Sequence, residues 1–231
     1  MRARGIYLLI QDGTPVQTLF SPSHGGKRAN AGRKPVGDRA GVPHRAREPF
    51  HKPRPVLVTL RLERVVWNLR RRRTYGVVRE AIGRSNRAGR VAITHYSVLG
   101  NHLHLIVEAA DDHVLTRGMQ GFSIRVARAL NALMGRSGRV FADRFHSRVL
   151  KTAREVRNAL AYVLCNARKH KLARDTGRNW VDPYSSAPTF LGWKRRVREI
   201  DLPPPIAAPS TWLLRVGWRR HGLLDPAYVP K

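Results

Sequence analysis

An α+β fold of the ferredoxin-like type, βαββαβ with an antiparallel sheet, is predicted by three features of the sequence. Four segments are β-branched or alternate apolar with polar residues, two segments of helical period lie between them, and two of the strand segments are separated by only a three-residue turn.

The first strand is Val56-Leu57-Val58-Thr59-Leu60-Arg61-Leu62, bounded by Pro55. A helix is expected over 64–80, with Val65, Leu69, Val77 and Val78 turned inward and Trp67 packed. Residues 90–98 and 102–109 read as strands, and Leu99-Gly100-Asn101 between them marks a hairpin. Leu115, Met119, Phe122, Val126, Leu130 and Leu133 recur at helical spacing over 111–134, and 135–138, with a glycine at each end, closes that helix. Alternation returns over 140–150 as the fourth strand. Thr152 with Glu155 three positions on has capping-box spacing, and the helix it starts runs to about residue 172. With no proline inside it, the helix is expected to continue through His170.

Three regions follow. Residues 1–54 are a basic, largely flexible N-terminal arm, since 21–55 is crowded with Gly, Pro, Arg, Lys and His and has no periodicity. Residues 55–175 carry the predicted fold, and 176–231 form a C-terminal extension with a short helix near 192–200.

Forty-four Lys and Arg against 15 Asp and Glu give a formal charge of +29, which points to a polyanionic partner, nucleic acid first. No apolar run approaches the roughly 18 residues of a spanning helix, so a membrane is not expected. The single cysteine, Cys165, excludes a disulfide framework and a cysteine-rich zinc site, and it reads as packing in a cytoplasmic protein.

The chemistry-bearing residues lie in two places. In His102-Leu103-His104 the strand period sends both imidazoles to one face and Leu103, Leu105 and Val107 to the other, so the pair can share one divalent ion. On the last helix Tyr162, Asn166 and Lys169 share a polar side, apart from Leu160, Val163 and Ala167. A phosphodiester repels nucleophiles. A cation held by His102 and His104 would screen it, and a tyrosine hydroxyl would attack to leave a covalent phosphotyrosine that a free DNA hydroxyl can later displace. Asn166 can supply a third ligand, and His170 is an alternative ligand or a DNA contact. Two imidazoles and an amide suit Mg²⁺ or Mn²⁺, with zinc left open. Tyr96, on a strand, and Tyr184, in a proline-flanked turn, rank below Tyr162. Asn101 is read as a turn residue.

DNA contacts are expected from Arg117, Arg125 and Arg128 on the middle helix, Arg139, Arg144 and Arg148 near the fourth strand, and Lys169. In the arm, Ala31-Gly32-Arg33-Lys34-Pro35 resembles the Gly-Arg-Pro core of minor-groove AT-hook peptides with Lys34 inserted, which adds Arg33 and Lys34.

Three ordered motifs carry a further resemblance. His95-Tyr96-Ser97-Val98-Leu99-Gly100-Asn101-His102-Leu103-His104-Leu105, Gly138-Arg139-Val140-Phe141-Ala142-Asp143-Arg144-Phe145-His146-Ser147 and Ala161-Tyr162-Val163-Leu164-Cys165-Asn166, followed by Asp182-Pro183-Tyr184-Ser185-Ser186, resemble the single-tyrosine HUH transposases, REP-associated tyrosine transposases above all. The resemblance spans roughly 55–192. It implies a ferredoxin-like fold, His102, His104 and Asn166 as metal ligands, and Tyr162 as a nucleophile that retains the 5′-phosphate. It also implies single-stranded or hairpin DNA as substrate in a bacterial, nucleoid-associated enzyme, and leaves a homodimer open. The competing readings are a non-catalytic binder on the same scaffold and a replication or mobilisation initiator of like chemistry. The binder is disfavoured because His102 and His104 stand where RNA-recognition sheets expose aromatics.

Overall fold

A computed structural model of the chain describes residues 8–11, 14–17, 47–172, 177–198 and 204–230. The chain divides into two compact units, Met1–Arg45 and Ala46–Lys231. In the first, β1 (Leu8–Gln11) and β2 (Thr14–Gln17) pair antiparallel as a short hairpin, inside the span expected to be an irregular arm. Arg33 and Lys34 lie outside the described residues.

In the second unit the order is β3 (Arg54–Arg61), α1 (Arg72–Arg87), β4 (Ala92–Val98), β5 (His102–Ala109), α2 (Asp112–Met134), β6 (His146–Val149) and α3 (Ala153–Leu164). The four strands form one antiparallel sheet ordered β4-β5-β3-β6, the ferredoxin-like arrangement that the sequence predicts. One face carries α1 and α2 over Val58, Leu60, Leu103, Leu105 and Val107. The other carries α3 over Ile106, with Val156, Leu160, Val163 and Leu164 buried beneath it.

Several elements differ from their sequence reading. Helix α1 begins at Arg72 rather than 64, because the preceding loop makes its backbone bonds to another segment. Leu62 N–H donates to Asn101 O (2.9 Å) and Leu69 N–H to Gly100 O (2.9 Å), which buries Leu69 and leaves Val65 and Trp67 exposed. The fourth strand is shorter than 140–150. Residues 140–142 meet the chain at the end of β3 through an isolated bridge, Leu62 to Phe141, and β6 starts only at His146. Helix α2 matches its prediction, with Asp111 Oδ1 capping Val114 N–H (2.7 Å) and Gly135 closing it in the left-handed region at φ 61°. The capping box of Thr152 and Glu155 is present on α3.

That last helix does not run through to His170. It stops at Leu164, and after Cys165 (φ −104°, ψ 7°) a one-turn helix, α4 (Asn166–Lys169), resumes. No proline is needed for the break.

The boundaries at both ends also move. Phe50 is buried in the main core and its carbonyl accepts from Asp112 N–H (3.2 Å), so 47–53 belongs to the folded unit rather than to an arm. Beyond 176 the chain is part of the same unit: Trp193, Leu214, Trp218 and Leu224 pack with α3, and the buried Glu108 carboxylate accepts from Ser210 N–H (2.6 Å) and Thr211 N–H (2.8 Å). No helix forms over the described residues 192–198. Instead Trp193 bridges Leu224, and the short helices of this region are 3-10 turns at Ala187–Thr189 and Gly217–His221 and α5 (Trp212–Arg215). Residues 182–186 cover the free edge of β4, with Ser97 bridging Ser185 and Val98 N–H donating to Tyr184 O (2.9 Å). The buried Asp182 carboxylate locks that segment by accepting both arms of Arg70 (2.7 and 2.8 Å).

Candidate active site

On β5 the alternation places His102 and His104 on the α3 face, while Leu103, Leu105 and Val107 fill the opposite core. The antiparallel register sets Thr59 of β3 opposite His104 and Arg61 opposite His102. As a result Thr59 Oγ1 lies 3.0 Å from His104 Nδ1, and Nε2 of that ring is turned toward α3. Asn101 Oδ1 accepts from His102 Nδ1 at 2.8 Å, which puts the proton on Nδ1 and leaves Nε2 with its lone pair free. Asn101 is therefore more than a turn residue. Neither Thr59 nor Asn101 was singled out for this role from the sequence, though the strand period and the Asn-His dipeptide were available as signals.

The two imidazoles stand edge to face with centroids 4.9 Å apart. Burial holds the His104 pKa down to about 3, with help from neighbouring His102, His170 and Lys169. Burial, then His170 and Arg61, lowers that of His102 to about 4. Both rings are thus neutral at ordinary pH, the form that ligates cations.

Helix α3 brings Tyr162 over this pair. Its hydroxyl is 3.5 Å from His104 Nε2, a near contact rather than a strong hydrogen bond, and the rings meet edge to face at 5.0 Å. Partial burial raises the pKa of the phenol, so the resting group is the hydroxyl. Lys169 Nζ stands 5.5 Å from the centre of the Tyr162 ring, and the His170 ring lies 5.4 Å from that of His102. The competing tyrosines are engaged elsewhere. Tyr96 is fully buried with its hydroxyl 3.0 Å from that of Tyr75, and Arg70 stacks on Tyr184 at 4.2 Å.

Asn166 departs from its predicted place. Instead of sharing a polar, accessible side with Tyr162 and Lys169 it is fully buried, and neither its Oδ1 nor its Nδ2 has a hydrogen-bond partner among the described residues. A buried carboxamide without partners is costly, so a missing polar partner there is the economical explanation. Among the described residues no three His, Cys, Asp or Glu side chains converge as a metal cluster.

The predicted DNA-contact arginines divide. Arg148, on β6, and Lys169 border Tyr162. Arg117, Arg125 and Arg128 lie on α2, across the sheet from the tyrosine, and Arg125 donates to Ser85 of α1 (3.2 Å). They do not border this site. Helical spacing orients side chains around an axis but does not say which face of the sheet the helix covers. Arg139 is exposed and paired with Glu63 (3.3 Å), and Arg144 is exposed beyond the start of β6.

The fold of the second unit has a solved counterpart. The chain superposes on a REP-associated tyrosine transposase bound to a REP hairpin with a TM-score of 0.50, at 18% identity, over 63% of this chain and 82% of that one. The chain shares the fold of that structure. A protein from Deinococcus radiodurans R1 assigned as a transposase is similar at a TM-score of 0.37 and 10% identity, over 46% of this chain and 85% of that one, a likeness too slight to establish a shared fold. No protein-family model matches the sequence, and no curated protein does. No helix among the described residues is long and apolar enough to cross a membrane.

Proposed function

We propose that the protein is a single-tyrosine DNA strand transferase of the REP-associated type, cutting and rejoining single-stranded or hairpin DNA. The observation that carries this reading is the placement of the Tyr162 hydroxyl 3.5 Å from Nε2 of a buried, neutral His104. A tyrosine serving only to pack would have no reason to meet a buried, neutral imidazole whose Nε2 faces it.

His102, His104 and Asn166 would hold the divalent ion, Mg²⁺ or Mn²⁺. The unpartnered carboxamide of Asn166 and the two neutral imidazoles fit such a donor set. Bound there, the ion supplies charge neutralisation for the scissile phosphate. Asn101 and Thr59 fix the two rings through their Nδ1 atoms. Tyr162 Oη attacks phosphorus and the bond from phosphorus to the 3′-oxygen breaks. The 5′-phosphate remains on Tyr162, the phenolic proton passes to water, and the 3′-oxygen takes one up. A second DNA 3′-hydroxyl reverses the step, so joining needs no nucleotide triphosphate. Lys169 and Arg148 hold the strand by its phosphates, an interaction that weakens with salt.

The test incubates the protein with labelled hairpin DNA carrying single-stranded flanks, with and without Mn²⁺. A covalent adduct on a denaturing gel, abolished by chelator and in Tyr162→Phe, supports the reading. Salt-sensitive binding with no adduct across a panel of hairpins would replace it with a non-catalytic DNA-binding role.

A further inference from the structure

Tyr162 and Arg148 also line a cleft of about 440 Å³, within the roughly 300–1,000 Å³ of small-ligand sites, whose remaining walls the strand-transfer chemistry does not use. Its floor is apolar: Leu57 of β3, half-buried, with Leu150 and Ala159 beside it. Arg148 forms a cationic rim. The one carboxylate in the lining, Glu155, is committed elsewhere, accepting from Arg148 (3.0 Å) and from the Lys151 and Thr152 N–H groups (2.8 and 3.1 Å).

Two side chains remain available to a ligand. Asn158, one turn before Tyr162 on α3, is exposed at the cleft and its carboxamide has no hydrogen-bond partner among the described residues. Tyr228 stands 47% exposed on the opposite wall. Its position is built rather than loose. Tyr228 N–H donates to Asp225 O (3.0 Å), Arg168 Nε to Pro226 O (2.7 Å), and Ala227 N–H to Asp225 Oδ1 (2.9 Å), while Leu224 and Pro230 on either side are buried. The turn is thereby fastened to α4, just beyond the tyrosine helix, with Tyr228 in the lining of the cleft.

We propose that this cleft is a nucleobase site: it takes the base adjoining the scissile phosphate, stacked on Tyr228 and read at its edge by Asn158. The inference rests on the strand-transfer reading for the identity of its ligand as single-stranded DNA. The chemistry is matched throughout. A flat heteroaromatic ring covers the apolar floor and the Tyr228 face, a carboxamide offers the paired donor and acceptor that distinguish bases, and the phosphate beside it lies between Arg148 and the tyrosine. Sequence preference at the cut would then reside in α3 and the C-terminal turn, apart from the histidine pair.

The test uses full-length Tyr162→Phe protein, which cannot react, and hairpin DNA with a randomised single-stranded flank. The bound fraction is sequenced and affinities are measured by fluorescence anisotropy. The expected result is about a tenfold base preference at one flank position, lost in Asn158→Ala at that position alone. An abasic nucleotide there weakens binding about tenfold in the parent and no further in Tyr228→Ala, while Tyr228→Phe behaves as the parent. Unchanged melting temperature and unchanged affinity for a flankless hairpin certify the folding of each variant. The proposal is overturned if no flank base is selected, or if Asn158→Ala and Tyr228→Ala select as the parent does. Because selection is read without cleavage, it stands or falls separately from adduct formation by the wild-type protein.

Discussion

On the sheet face turned to α1 and α2, Leu103, Leu105 and Val107 of β5 meet Phe122, Val126 and Leu130 of α2, and every one of these side chains is buried and apolar. On the face turned to α3, the alternate residues of the same strand are His102, His104, Ile106 and Glu108, and buried polar groups gather around them: His95, Ser97, Asn166 and Ser186. One face is assembled for cohesion alone. The other spends stability on polar burial, and His104 and Asn166, two of the groups it buries, are those the proposed chemistry would use. The contrast teaches that stability and reactivity are separable here by face, residue by residue along one strand.

Tyr162→Phe should show the largest effect. Adduct formation falls by at least about a thousandfold, while the urea midpoint of unfolding is nearly unchanged. The mirror experiment is on the cohesive face, where Phe122→Ala costs about 3–5 kcal/mol in denaturant unfolding. Adduct formation per folded molecule is retained. If either variant moved both quantities together, the separation of faces would be lost.

Acid should act through the reactive face. His95 is buried beside Ser186 (3.3 Å) and Phe190, and burial lowers its pKa to about 4. Its unfolded value lies near 6.5, so the unfolded chain binds the extra proton between these limits. The stability from keeping His95 neutral is full above about pH 6.5 and is lost as pH falls toward 4, a change of about 3 kcal/mol. Melting temperatures measured from pH 7 to 4 should fall less steeply in His95→Gln than in the parent. Equal slopes would remove His95 as the cause.

The smallest effect has an unusual sign. Asn166→Leu removes two unpartnered buried polar atoms, so stability holds or rises by about 1 kcal/mol. Mn²⁺ affinity by calorimetry should nevertheless drop at least tenfold. Loss of stability with metal binding intact would assign Asn166 to the core alone.

The strand order, α2, the capping box and the pairing of His102 with His104 on one face were legible because each rests on local period or spacing. Other features depend on distant partners. The start of α1 is decided by Gly100 and Asn101, which take the backbone bonds of Leu62 and Leu69 and override the apolar spacing of Val65 and Val77. The break at Cys165, with the burial of Asn166 that follows, has no proline or glycine to announce it. The C-terminal residues read as an extension because their tryptophans and leucines lack a clear period, yet Trp193, Leu214 and Trp218 complete the core beneath α3. Tyr228 reaches the cleft beside Tyr162 only through that docking.

Whether Tyr162 becomes joined to DNA is read most directly by mass spectrometry of the proteolysed adduct formed with hairpin DNA and Mn²⁺. A nucleotide phosphate is expected on the tryptic peptide spanning 158–168, in which Tyr162 is the only tyrosine. A modified peptide carrying Tyr96, Tyr184 or Tyr228 instead, or no modified peptide, would contradict it.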